Sequence, residues 1–311
     1  MRPLLLNAKR DGEVVGAAIL VPRTERRRAV LKVRQLHFNS TGDPAFDCIT
    51  IEHNDFVACA DAQRELWPAF LGWFARQTEV DELVVPGIAD GATDEAPRGL
   101  LHSVTPMTAF ACELPPGGRD AILARLSANS RQQLRRNFRD CEALGPLRIE
   151  VATSVVEALA WFTELKALHV ASWTRRGRRH AFHFPFFEIF HRALIDADTP
   201  EGRVRMRRIS AGAHVLGYLY DFRRQGHVCA YQSGFGGVFA DLRPGYVSHL
   251  LAMEQDAREG MQTYDFLGGE NRLKTSLKTE RYDLCSYRFA RPGPGLFLES
   301  AARATRKRFG V

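Results

Sequence analysis

His227-Val228-Cys229-Ala230-Tyr231-Gln232-Ser233-Gly234-Phe235 has the character of a strand and runs straight into Gly236-Gly237, and Arg243-Pro244-Gly245 then opens a helical pattern. A strand that breaks into two glycines is loosened at its end, which suits a strand splaying from its neighbour and equally suits a plain turn. Proline fits the first turn of a helix, where its missing N–H costs nothing. The amides of Gly245, Tyr246 and Val247 would then face outward at the positive end of a helix, with Arg243 adding charge, a site suited to a pyrophosphate.

Working upstream, Val204–Ile209 and Val215–Phe222 are strands joined through Gly212, and Arg223–Gly226 joins the second to His227–Phe235, giving an antiparallel meander. Working downstream, the helix runs to Arg258 and stops at Gly260, followed by a strand at Thr263–Leu267, a short helix at Asn271–Leu277 and a last strand at Tyr282–Phe289. Before the meander come a helix from about Arg119 to Ala143, with Ile122, Leu126, Leu134 and Phe138 in steps of four or eight, a strand at Leu147–Ala152, and helices at Val155–Trp173 and Pro185–Ile195. From that first strand the order is β-α-α-β-β-β-α-β-α-β, an α/β (α+β) arrangement with a mixed, mostly antiparallel sheet flanked by helices.

Leu114-Pro115-Pro116-Gly117-Gly118 separates this half from the preceding one, which predicts domains at 1–114 and 119–295 and a basic tail at 296–311. In the first half, Leu4–Ala8 and Val14–Val21 form a hairpin around Asp11-Gly12, Ala29–Phe38 is a strand, Ala60–Gln77 is an amphipathic helix and Glu82–Val85 a strand. The halves echo one another: Gly12–Gly16 matches Gly212–Gly217, and Glu82–Gly87 matches Thr263–Gly268, the mark of a degenerate internal duplication.

With 45% hydrophobic and 25% charged residues in 311, the composition is that of an ordinary globular chain and excludes disordered, collagenous and coiled-coil classes. There is no apolar run of about 18 residues to cross a bilayer and no apolar signal core behind Leu4-Leu5-Leu6, so a cytoplasmic protein is expected. Six cysteines are scattered without a C-x-x-C pair, which predicts reduced thiols and no metal. The net charge of +7 is compatible with an anionic ligand without demanding nucleic acid, and no DNA partner is expected. Lysines are only six of the 43 basic residues, so Lys274 stands out.

Asn129-Ser130-Arg131-Gln132-Gln133-Leu134-Arg135-Arg136, Tyr231–Phe235, Arg243-Pro244-Gly245 and Tyr264-Asp265-Phe266-Leu267-Gly268-Gly269 with Lys274 resemble the CelD-type acetyltransferases of the GNAT superfamily, named from cellulose biosynthesis. The likeness covers about 120–290. More distantly the chain is similar to the FemAB-type aminoacyltransferases. The resemblance implies tandem GNAT-like domains, the first degenerate and lacking its opening strand and helices. It also implies acyl-CoA, in the first place acetyl-CoA, as co-substrate and a small-molecule or saccharide amine as acceptor. A link to exopolysaccharide or cellulose production follows from the resemblance alone. The arginine- or glutamine-led glycine motif that GNAT enzymes carry before the donor-binding helix is not present, which leaves a tRNA-borne donor open.

Direct attack of an amine on a thioester needs free N–H groups for the carbonyl oxygen, a base, and an acid for the leaving thiolate, and no nucleophilic triad. Asp265, Tyr231 and Lys274 are the expected catalytic residues, Ser233, Gly234, Phe235, Arg243, Gly245 and Tyr246 the expected donor site, and Arg131, Arg135, Trp173, Gly268 and Gly269 the expected acceptor site. Alternation places Asp265 opposite Tyr264 and Phe266, as a base or substrate-orienting carboxylate, or else as a cap or salt-bridge partner. Lys274 suits a phosphate or an anionic acceptor group, or an i,i+4 pair with Glu270. Arg131, Arg135 and Arg139 form a row that repels unless an anion lies across it, or else a solvated face. Trp173 and His169 share a helix face with Phe162, where core packing is the simpler role. Arg175–Arg179 is a substrate loop or a basic surface turn, and the tail Ala301–Val311 a solvated end or a contact with an anionic membrane. Three functions follow: an N-acyltransferase using acyl-CoA and transferring groups other than aminoacyl, a transferase using aminoacyl-tRNA, and a non-catalytic partner of a polysaccharide synthase.

Overall fold

The computed structural model describes residues 2–27, 31–89 and 99–293, so the tail at Ala301–Val311 lies outside the described residues. The chain divides into two compact units, residues 1–107 with 283–311, and residues 108–282. The boundary expected at Leu114–Gly118 therefore falls earlier, inside a strand, and the last strand goes over to the first unit. The elements are β1 (Leu4–Arg10), β2 (Glu13–Arg27), β3 (Leu31–Phe38), α1 (Pro44–Asp47), β4 (Val57–Ala58), α2 (Gln63–Arg76), β5 (Glu82–Ala89) and β6 (Leu101–Glu113), the strand along which the chain passes from one unit to the other. Then follow α3 (Gly118–Ala124), α4 (Ala128–Glu142), β7 (Leu147–Val151), α5 (Val155–Arg175), α6 (Pro185–Asp198), β8 (Val204–Ala211), β9 (His214–Arg224), β10 (His227–Phe235), α7 (Pro244–Arg258), β11 (Thr263–Gly268), α8 (Arg272–Leu277) and β12 (Glu280–Ala290).

In the first unit β1 and β2 form a hairpin whose turn, Asp11 at φ 52° and Gly12 at φ 89°, has the positive angles that a tight two-residue turn requires. β2 pairs antiparallel with β3, and β3 pairs parallel with β5 at Gln35↔Glu82, Leu36↔Leu83 and His37↔Val84. The crossover between them carries α2, which buries Leu66, Trp67, Phe70, Leu71 and Phe74 against the sheet. Residues 283–290 of β12 close this sheet on the other side of β5.

In the second unit the strand order is β6-β11-β10-β9-β8-β7, with every neighbouring pair antiparallel except β10 and β11. One face packs α3, α4 and α7 against Leu216, Leu219, Val228, Tyr264 and Phe266. The other packs α5 and α6 through Trp161, Phe162, Phe187 and His191 against Tyr218, Tyr220, Phe222 and Tyr231. The single helix expected over Arg119–Ala143 is two, because the Ser127 hydroxyl accepts the Ser130 N–H at 3.2 Å and starts a new helix there. α7 is fastened to the sheet by a fully buried guanidinium: Arg207 on β8 donates to Asp221 on β9 and Asp256 on α7, each at 2.5 Å. Among the described residues no helix is long and apolar enough to cross a membrane.

Candidate functional site

β10 and β11 pair for three residues only, His227↔Thr263, Val228↔Tyr264 and Cys229↔Asp265. Beyond that point each keeps its outer neighbour and loses the inner one. β10 continues against β9 to Phe235↔Gly217, with a bulge at Tyr231 between Ala230 and Gln232. β11 bulges between Asp265 and Gly268 and regains β6 at Gly268↔Ala109, with Leu267 at φ 61°. Two bulges on adjacent strands turn the pair apart into a V, because a bulge bends the strand that carries it.

The β10 arm of the V is fixed by packing that admits only glycine. A Cβ on Gly234 would lie 2.6 Å from the Leu165 carbonyl oxygen of α5, and one on Gly217 would lie 2.3 Å from the Phe235 ring. The ring of Phe235 faces His249 of α7 edge-on at 5.8 Å, so the far end of β10 is bolted to the helix that follows it. Between them lie Gly236 at φ 153° and Gly237 at φ 67°, then a 3-10 turn and Arg243 at φ 53° before Pro244. The Tyr246 amide donates to the Arg243 carbonyl at 3.1 Å, which takes it out of the expected set of outward N–H groups. Gly245 packs tightly, a Cβ there meeting Leu273 at 3.1 Å and Phe235 at 3.2 Å, while Arg243 is exposed beside the helix start.

At the apex of the V the fully buried Asp265 carboxylate is a hub. Oδ2 accepts the Tyr282 hydroxyl at 2.5 Å and faces His227 Nε2 at 3.2 Å, while Oδ1 accepts the Leu267 N–H at 2.7 Å. Parallel register explains the cluster: Asp265 stands beside Cys229, and strand alternation puts His227 two residues back on the same face. Lys274, from α8, donates to the Leu267 and Gly268 carbonyls at 3.2 and 2.5 Å and so holds the β11 arm. Gly269, at φ 88°, donates its N–H to the Thr108 carbonyl.

Tyr231 is tied to α6, its hydroxyl 3.0 Å from His191 Nε2, while His191 Nδ1 meets the Tyr220 hydroxyl at 3.1 Å; burial pulls His191 down to about 3. On α5 the His169 ring stacks on Trp173 at 5.4 Å, and its Nδ1 lies 3.2 Å from the Ser233 carbonyl of β10. Its Nε2 is buried with no partner among the described residues, and burial lowers His169 to about 4.

Residues 128–275 match the family model for the acetyltransferase (GNAT) domain. The second unit has a GNAT-type acyltransferase fold. Among solved structures the whole chain is similar to FemX, at 12% identity and TM-score 0.54, covering 91% of this chain and 87% of that one. It is similar to the C-terminal DUF2156 domain of an Agrobacterium fabrum protein described as a lysylphosphatidylglycerol synthetase, at 13% identity and TM-score 0.56, covering 98% and 88%. It is also similar to L-PGS from Bacillus licheniformis, at 9% identity and TM-score 0.52, covering 94% and 85%. At these identities the likeness is one of fold. No curated protein matches the chain in sequence.

Within the GNAT fold the expected site residues do not all converge. Asp265, Gly268, Lys274, Tyr231, Ser233, Gly234 and Phe235 stand on or against the two arms. Arg131 is turned back on its own helix start, donating to the Leu126 carbonyl at 2.5 Å. Arg135 lines a separate cavity of about 520 Å3 with Arg119, Phe138, Arg139, Glu142 and Leu250, to which neither β10 nor β11 contributes. Trp173 lies on the opposite helical layer from α4, on α5. The residues that sequence reasoning passed over are His227, Tyr282, His191 and the Arg207 triad. Only His227 and Cys229, alternate residues of one strand, left a trace in the sequence.

Proposed function

We propose that the GNAT domain is an N-acyltransferase that moves an acyl group, acetyl in the simplest case, from acyl-CoA to an amine of a small molecule or sugar. The observation that carries this reading is the V between β10 and β11, ending at the start of α7. The pantetheine arm of the donor runs between the parted strands, where the inner backbone edges offer N–H groups to its thioester carbonyl. Its pyrophosphate rests by Arg243 and the α7 start. The amine attacks the carbonyl carbon, the C–S bond breaks, and CoA leaves as the thiol. The amine's proton departs through the polar cluster that Asp265 organises at the apex.

Thermal unfolding with and without acetyl-CoA tests the donor. At 100 times its dissociation constant a ligand adds about 2.7 kcal/mol, which raises the midpoint by roughly 5 °C or more. Arg243→Ala reduces that shift, and no shift with any acyl-CoA overturns the reading. Asp265→Asn is expected to keep the donor-induced shift and to lower turnover about 100-fold or more.

A second reading, transfer from aminoacyl-tRNA, is favoured by one observation: Arg135 and Arg139 are exposed on the rim of the α3–α4–α7 cavity with no acidic partner among the described residues. A phosphate track there shows itself as tRNA binding that weakens steeply with salt.

A further inference from the structure

The apex of the V holds a donor set whose thiol, Cys229, has no part in the transferase reading. His227, Cys229 and Asp265 present an imidazole nitrogen, a thiol sulfur and a carboxylate oxygen that all lie within 4.8 Å of one another. They are gathered by register and not by a sequence motif: two alternate residues of β10, and the residue of β11 paired to the second of them. We propose that these three side chains bind a zinc ion, whatever reaction the domain performs.

The chemistry of the set points to zinc. Thiolate with imidazole and carboxylate suits this borderline-soft ion, whereas magnesium and calcium take oxygen ligands alone. With bond lengths of about 2.0–2.3 Å, ligand atoms around a tetrahedral zinc stand roughly 3.3–3.7 Å apart. His227 Nε2 and Asp265 Oδ2 are already 3.2 Å apart, so small side-chain rotations complete the geometry. A thiolate and a carboxylate together balance the two positive charges. The outer layer is also in place. The Tyr282 hydroxyl and the Leu267 N–H hold the Asp265 carboxylate from both oxygens, as partners behind a metal ligand do. His227 is 41% exposed, which gives the ion a way in. Three protein ligands leave at least one of zinc's four positions for a further ligand.

The test uses the full chain without a histidine tag, purified without chelator. Elemental analysis is expected to find about one zinc per chain. Chelator-stripped protein titrated with Co2+ is expected to give a saturable spectrum with a thiolate-to-cobalt charge-transfer band. Cys229→Ser should abolish that band while circular dichroism stays that of the wild type. Tyr282→Phe should keep the band with affinity about 10-fold weaker. Stripped protein that shows no saturable cobalt spectrum overturns the proposal, as does a Cys229→Ser/His227→Ala variant that retains stoichiometric zinc. Purified protein carrying iron or nickel in place of zinc overturns the choice of ion. None of these readouts involves acyl transfer, so a failure here and a failure of the transferase reading are separable.

Discussion

The two units run the same piece of chain, β3-α2-β5 in one and β10-α7-β11 in the other, and both parallel pairs last for three residues. They differ in what fills the gap beyond. In the first unit the loop after β3 folds back into it. The Asn54 side-chain amide donates to the Phe38 carbonyl at 3.2 Å and the Pro86 carbonyl at 2.8 Å, and its own N–H donates to the Gly87 carbonyl at 2.9 Å. In the second unit each arm is satisfied from its own side, β10 by His169 on the Ser233 carbonyl and β11 by Lys274 on the Leu267 and Gly268 carbonyls. By the same register Val84 stands where the second unit has Asp265, and Gln35 where it has His227. Parted strands are therefore a scaffold and not yet a site; the difference lies in whether the chain stitches its own gap shut.

The crossover helices are seated by different physics, and that gives the largest expected effect. α2 rests on aromatic packing around Phe38, Phe56, Trp67 and Phe70, whereas α7 adds to its apolar packing a buried ion pair with Arg207. Arg207→Met leaves Asp221 buried without its cation and Asp256 with only Arg205 and Arg223, at 3.8 and 3.7 Å, and is expected to cost about 3–5 kcal/mol, confined to the second unit. Hydrogen exchange resolved by segment checks this: protection should collapse over α7, β8 and β9 and persist over α2. Equal loss in both units would break the comparison.

Next in size is Gly87→Ala, which attacks the stitch. Gly87 has φ 64°, and a Cβ there would lie 2.0 Å from the Ile51 carbonyl oxygen. Strain of this kind costs about 1–3 kcal/mol. Exchange should speed up across residues 39–59 while the second unit and its ligand-induced stabilisation stay unchanged.

The smallest effect is a slope with pH. Burial holds His191 and His249 at about 3 and His169 at about 4, all in the second unit, and lowers His37 in the first. An unfolded histidine titrates near ~6.5, so below that pH the unfolded chain binds more protons than the folded one. The stability these groups contribute is present above about pH 6.5 and is lost as pH falls toward their folded values. Asp221 and Asp256 run the other way, since burial raises both, but they are two against three histidines. The second unit should lose stability faster than the first between about pH 6.5 and 4. His191→Gln, whose amide can still meet both tyrosine hydroxyls, should flatten that slope. Trp161 and Trp173 report on the second unit, Trp67 and Trp73 on the first.

Much of this architecture is legible in the chain because it is local. The Gly236-Gly237 break, the proline opening α7 and the alternation around Asp265 each act within a few residues. β6 escaped notice because His102–Pro106 are exposed and mostly polar, so no alternation marks them. The helix break at Ser127 hid behind apolar spacing that continues across it. The rest depends on register. Asp265 meets His227 across 38 residues, and Arg207 meets Asp256 across 49, on strands whose pairing no local pattern specifies.

The second unit, residues 108–282, is one unbroken stretch, whereas the first is completed by residues 283–290 on β5. On the ribosome that order becomes a delay. At about 5–20 residues per second, β5 is made roughly 10–40 s before β12, its partner strand. Throughout that interval the second unit can collapse on its own contacts while the edge of β5 stands unpaired. A bare edge is what neighbouring nascent chains pair with. The half of the molecule that carries no proposed chemistry is thus the half whose assembly is most exposed to its surroundings, and its last strand must be released before either the chain or a chaperone can let that edge go.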